Sequence, residues 1–176
     1  AQVIAQKTAV QASETKYYQK LNESCIAGTD IKPNSSNRVA ISQNINRVYA
    51  SQSAKDAGSS ANNYVTPKAY CVINYLNNQY PNSIYIGDAS PETGLAIDHT
   101  DLFQDGKDFQ LLARCAIMDE KYQMGCAYNR DTARQLLNQL KQLGATYIIG
   151  PDKELSNEGL MTYNPNYIAW VVHIES

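Results

Sequence analysis

The hydrophobic pattern changes period about halfway along the chain. In residues 1–25 apolar positions recur at helical spacing: Val3, Val10 and Tyr17 lie seven apart, and Leu21 and Cys25 continue the stripe. Alanine fills much of the remainder, and no Gly or Pro precedes Gly28, so the spacing predicts a long helix with one narrow packing face. A Gly-, Pro- and Asn-rich loop follows at 28–37. Ile41, Ile45, Val48 and Tyr49 predict a second helix over 38–57. Thr66 and Pro67 then predict a third over 67–80, with threonine as cap and proline at the first helical position.

From residue 83 the period shortens. SIYIGD (83–88) and LAIDH (95–99) read as strands joined through SPETG, a hairpin. QDGKD (104–108) is a turn. It leads into two further strands, FQLLARCAIM and YQMGCAYN, with Glu120–Lys121 at the turn between them. TARQLLNQLKQL (132–143) predicts a helix with Asp131 as its cap, one face of Ala133, Leu136, Leu137, Leu140 and Leu143, and a stop at Gly144. ATYIIG (145–150) and YIAWVVHI (167–174) are the last strands, joined by a polar loop. The fold class is therefore α+β in one domain over 1–176: a long N-terminal helix and two further helices packed on an antiparallel sheet at 83–176. No internal repeat or linker divides it.

The cysteines carry the sharpest expectation. In RCAIMDEKYQMGC, centring a hairpin on Glu120–Lys121 sets Cys115 opposite Cys126. Paired strand residues have Cα atoms roughly 4.5–5.5 Å apart, within disulfide reach. Cys25 and Cys71 are then left for each other. Four cysteines allow three connectivities, and buried free thiols are the ordinary cytosolic alternative. No two cysteines stand two to four residues apart, which disfavours a zinc knuckle. Two disulfides and an oxidising compartment are expected.

Charge narrows the function classes. Fifteen basic and seventeen acidic residues give a net charge of −2 with neither sign clustered, unlike a nucleic-acid footprint or a polybasic membrane patch. No apolar run approaches the roughly 20 residues of a membrane span. The two histidines, His99 and His173, lie in expected strands outside any catalytic motif, and no nucleophile elbow or HExxH is present. Asp98, Asp101, Asp105 and Asp108 crowd eleven residues, but their spacing does not follow the EF-hand pattern; they read as turn formers, with a calcium site as the alternative. No catalytic residue, cofactor or metal is expected. The tyrosines Tyr17, Tyr18, Tyr49, Tyr64, Tyr70, Tyr75 and Tyr80 are expected mostly to cover the sheet where helices meet it, with a recognition surface as the alternative.

A long Ala-rich helix ending in AVQASETKYYQKLNESC, then a loop, then a disulfide-bearing sheet resembles the soluble part of a type IV pilin or pseudopilin. That resemblance implies a non-catalytic extracellular filament subunit. Its partners would be other subunits, packed through Val3, Val10, Tyr17 and Leu21, and the membrane would be reached only through a segment upstream of Ala1. SIYIGDASPETGLAID and LLARCAIMDEKYQMGCAYNRDTARQLLNQLKQLGATYIIGPD also resemble a Cache-type extracytoplasmic sensor, which implies a sheet cupping a small ligand.

Overall fold

The computed structural model describes residues 32–47, 63–93 and 105–175. The expected helix over 1–25, with Val3, Val10, Tyr17, Leu21 and Cys25, lies outside the described residues, as does the expected strand at 95–99.

The described elements are β1 (Val39–Ala40), β2 (Asn46–Arg47), β3 (Tyr64–Val65), α1 (Pro67–Gln79), β4 (Ile84–Ile86), β5 (Asp108–Ala113), α2 (Arg130–Gln142), β6 (Ala145–Gly150), α3 (Lys153–Asn157), β7 (Thr162–Tyr163) and β8 (Trp170–Ile174). Six strands form one sheet in the order β2-β4-β5-β8-β6-β7, and β1 and β3 form a separate ribbon. The four central strands pair antiparallel, as expected for an α+β chain. The two edge pairings, β2 with β4 and β6 with β7, are parallel, which corrects the expectation of a wholly antiparallel sheet.

Helix α1 forms where the local chemistry favours it. The Thr66 hydroxyl accepts from the Ala69 N–H at 3.3 Å, and Pro67 occupies the first position, where its missing N–H costs nothing. Ala69, Val72, Ile73 and Leu76 then share one buried face. Helix α2 carries Ala133, Leu136, Leu137 and Leu140 at the same spacing. Its cap is Asn129, whose side-chain oxygen accepts from the Thr132 N–H at 3.1 Å, rather than the expected Asp131. Asp131 sits in the first turn and pairs with Arg134. Gly144 ends the helix at a φ of 110°, a left-handed conformation that suits a residue without Cβ.

Strand pairing assigns every sheet residue to a face. Phe109, Leu111 and Ala113 of β5, Trp170, Val172 and Ile174 of β8, Ile84 and Ile86 of β4, and Ile148 of β6 join both helices in one apolar core. Tyr80 donates to Gln139 Oε1 at 2.6 Å, tying the end of α1 to α2. In β6 one extra residue separates the pairings Ala145↔Ile174 and Tyr147↔His173. This bulge lets Ala145 face the helices while Tyr147 turns to the opposite side. At Gly150 a Cβ would lie 2.6 Å from Met161 Cε and 2.9 Å from Trp170 Cδ1, so the close approach of β6 to the indole requires glycine.

Three expectations fail for tertiary reasons. Residues 38–47 are strand and turn: Val39 and Ile41 are buried with Ala40 exposed between them, a period of two that pairs the chain with β3. The expected helix 38–57 is thereby overturned over its described part; residues 48–62 lie outside it. Both edges of β4 are taken, by β2 and β5, which leaves no edge for the hairpin with 95–99. The cysteine segment is also not a hairpin. Between β5 and α2 the chain is irregular, with a single 3-10 turn at Glu120–Tyr122. Cys115 and Met124 have positive φ, which breaks strand geometry beside both cysteines. The polar loop expected to join the last two strands instead contains α3 and β7.

Replacing Leu137, fully buried between α2 and the sheet, with Ala is expected to lower unfolding stability by about 2–5 kcal/mol in chemical denaturation. Gly150→Ala is expected to destabilise as well, because the indole of Trp170 cannot swing away as the Met161 terminus can. Unchanged denaturation midpoints for both would contradict the packing described.

Candidate functional site

The sheet face turned away from α1 and α2 carries the polar chemistry. Alternation along β5 and β8 places Asp108, Gln110 and Leu112 beside Val171 and His173, and β6 adds Tyr147 and Ile149. At one end His173 sits between two carboxylates, with Nδ1 2.7 Å from Asp108 Oδ1 and Nε2 2.9 Å from Glu175 Oε2. The Tyr147 hydroxyl donates to Asp108 at 3.3 Å, and its ring stacks on the imidazole at 4.5 Å between centroids. Lys107 closes the cluster through Glu175 at 2.6 Å.

The electrostatics follow from that geometry. Burial opposes a charge on His173, but hydrogen bonds to Glu175 and Asp108 outweigh it and raise its pKa above the ordinary histidine value. Hydrogen bonds from Lys107 and His173 pull Glu175 down to about 2. Burial, then the charge of Asp108, push the Tyr147 phenol up to about 12. In its protonated form an imidazole placed between two carboxylates donates from both nitrogens. Its described partners make it a tie between β5, β8 and the C-terminal residues, with neither nitrogen turned toward a substrate.

A second cluster lies around Asp152, which is buried at the start of α3. Its Oδ1 accepts from the Glu154 and Leu155 N–H groups, and its Oδ2 accepts from the Tyr128 hydroxyl and from Arg130 Nε at 2.9 Å. Burial works against this carboxylate, but the hydrogen bonds from Tyr128 and Arg130 hold its pKa below the usual value. The Glu154 and Leu155 bonds cap α3, while those from Tyr128 and Arg130 dock α3 onto the start of α2.

Between the cysteine loop and the start of β8 a cleft of about 290 Å³ opens. Gln110 and Leu112 of β5, Tyr122 of the 3-10 turn, and Asn166, Tyr167, Ile168 and Ala169 line it. The Gln110 side chain lies across Gly87, where a Cβ would come within 2.6 Å of its Oε1. That oxygen accepts from the Asp88 N–H at 2.9 Å, so the amide is held in one orientation.

The residues singled out from sequence fall as follows. Cys115 and Cys126 are joined in a disulfide with Cα atoms 4.9 Å apart. Cys71, on α1, is also disulfide-bonded, and its partner lies outside the described residues. Val3, Val10, Tyr17, Leu21, Cys25, His99, Asp98 and Asp101 lie outside the described residues too. Asp105 pairs with Lys107 at 3.6 Å, while Asp108 faces His173. Among the described residues no group of three or more His, Cys, Asp or Glu is placed to hold a metal ion. Nor is any described helix long and apolar enough to cross a membrane. Of the tyrosines named, Tyr70 and Tyr75 do pack against the core. The cleft residues Gln110, Tyr122, Asn166 and Tyr167 and the partners of His173 were not foreseen. The one signal for His173 was its place in YIAWVVHI, one residue out of step with the core-facing Trp170 and Val172. Comparison of the chain with protein-family models, with curated proteins and with solved structures found no match in any of the three.

The His173 cluster has a definite pH signature. Histidine holds its proton more tightly folded than unfolded, so its contribution is complete below 6.5 and is lost as pH rises through the raised folded value. Glu175 acts in the opposite sense: its contribution is present above 4.5 and fades as pH falls toward about 2. The cluster should therefore stabilise most between these two ordinary values. An NMR titration, with the resonance assigned through its loss in His173→Gln, is expected to give His173 a pKa above 6.5 that drops in Asp108→Asn. A value at or below 6.5 in the unmodified protein would contradict the two-carboxylate setting.

Proposed function

We propose that the chain is the globular part of a non-catalytic extracellular structural subunit, of the type IV pilus kind, that works by assembly and adhesion at a cell surface. The observation that supports this reading most is the disulfide between Cys115 and Cys126, together with the disulfide state of Cys71. The cross-link closes an irregular loop between β5 and α2 whose backbone has no ladder partner to hold it. Such loops keep their shape through the covalent tie, and disulfides of this kind persist in oxidising compartments. The two charge clusters, each built on one buried carboxylate, Asp108 or Asp152, serve as ties between elements, which suits a domain built to bear load rather than to turn over a substrate. Cys71 on α1 would anchor the helical layer to a segment outside the described residues, in keeping with a pairing to Cys25.

A second reading is favoured by the cleft beside Tyr122 and Tyr167: an extracytoplasmic sensor domain whose sheet takes a small ligand. The two differ in what the gene encodes around this chain. A filament subunit carries about twenty apolar residues joined to Ala1, whereas a sensor carries a signalling module after Ser176.

Alkylation of the unreduced protein under denaturing conditions, followed by intact-mass analysis, is expected to add no label. Four alkylated thiols would remove the basis of the reading. Selective loss of the Cys115–Cys126 bond, as in the Cys115→Ser/Cys126→Ser variant, is expected to lower stability by about 2–4 kcal/mol. Expressed from the full-length gene in its host, that variant should leave few filaments in sheared surface fractions by electron microscopy. Undiminished filaments would show that the loop has no part in assembly, and their absence in the unmodified strain would overturn the filament reading.

A further inference from the structure

The cleft on the outer sheet face has a composition that selects its ligand. Every described side chain lining it is uncharged: two phenols, two carboxamides, and the apolar Leu112, Ile168 and Ala169. No lining side chain offers a charged ligand an ion partner, Lys121 Nζ being spent over the Tyr122 ring at 5.6 Å from its centroid. A purely apolar ligand fits no better, because several polar groups in the cleft have no hydrogen-bond partner among the described residues. The Oε1 of Gln110 is engaged by the Asp88 N–H, and its Nε2 is left to donate. The side-chain amide of Asn166 makes no hydrogen bond to a described residue, its backbone N–H alone being held by Asn164 Oδ1 at 3.0 Å. Among the described residues no hydrogen bond engages the hydroxyl of Tyr122 or Tyr167 either.

We propose that this cleft, lined by Gln110, Tyr122, Asn166 and Tyr167, binds a neutral sugar. A sugar ring offers an apolar C–H face to a phenol ring and a rim of hydroxyls that both donate and accept. Carboxamides and phenols are the uncharged side chains that can answer in both senses. Tyrosine supplies such contact area at little entropic cost. A volume of about 290 Å³ is at the small end for ligand pockets and accommodates one ring, or at most two. Gln110 is already oriented by Asp88 and by the missing Cβ of Gly87, so its donor need not be ordered on binding. The inference rests on the cleft alone and stands whether or not the chain assembles into filaments.

The test is an amide-resolved NMR titration of the full chain, disulfides intact, with methyl glucoside, methyl galactoside, N-acetylglucosamine and lactose, and with glucuronate, glutamate and spermidine as charged probes. At least one neutral sugar is expected to shift the signals of Gln110, Asn166, Tyr167 and Ala169 with a Kd on the order of 1 mM. Tyr122→Ala should weaken that binding about tenfold. Asn166→Ala changes an exposed turn residue and should weaken binding too, so the test survives if Tyr122→Ala does not fold. Shifts with no neutral sugar, shifts unaffected by either variant, or larger shifts with the charged probes would each overturn the proposal. Filament formation plays no part in this readout, so a failed titration and a failed assembly assay are separate results.

Discussion

The C-terminal strand sits in the middle of the sheet. β8 is hydrogen-bonded to β5 on one side and to β6 on the other, so neither half of the sheet closes until the last residues of the chain are in place. Its core-facing residues, Trp170, Val172 and Ile174, form the floor on which both helices rest. Burial of such side chains contributes on the order of 1.5–3 kcal/mol each. Placing the strand requires closure of a long loop in sequence, which makes folding dependent on non-local contacts. Local features such as helix caps can form early, but the core that α1 and α2 share is incomplete before β8 docks.

The sheet that results has two unlike faces, and the division of labour follows from strand alternation. One face is apolar along the central strands and covered by α1 and α2. The other holds Asp108, His173, Tyr147 and Gln110 between Val171 and Leu112. On that face charge is neutralised in place: His173 lies between Asp108 and Glu175, and Lys107 satisfies Glu175 in turn. Near β5's other end the same face becomes uncharged and opens into the cleft. Structural ties and a recognition surface thus occupy one side of the same strands, a few residues apart.

The disulfide loop links these features. Cys115 follows directly on β5, and Asn129, which caps α2, donates its backbone N–H to the Cys115 carbonyl at 2.7 Å. The cross-link therefore sets where α2 begins and also holds Tyr122 at the edge of the cleft. Arg114 reinforces the closure by donating from Nε to the Met124 carbonyl at 3.3 Å. Loss of the bond would be felt at both places, because the loop between has no ladder of its own.

Much of the secondary structure was legible in the sequence, because its signals are local. Thr66–Pro67 announced α1, the leucine spacing announced α2, and the runs at 83–88, 109–118, 145–150 and 167–174 announced the central strands, which the structure confines to Ile84–Ile86, Asp108–Ala113, Ala145–Gly150 and Trp170–Ile174. Facing cysteines were legible too, although the register argument behind them was wrong: the sulfurs meet across an irregular loop, since positive φ at Cys115 and Met124 excludes a ladder. Residues 38–47 misled because Ile41 and Ile45 fit a helical stripe, while the neighbour that makes them strand and turn, β3, lies more than twenty residues on. Strand order, the partner of His173 and the lining of the cleft had no local signal at all. Local propensity and periodicity act within a few residues, and they determined which segments became helices and strands. Which strand stands beside which, and hence which polar side chains meet, was decided by burial of the apolar face as a whole, a cooperative quantity that no short stretch of the chain contains.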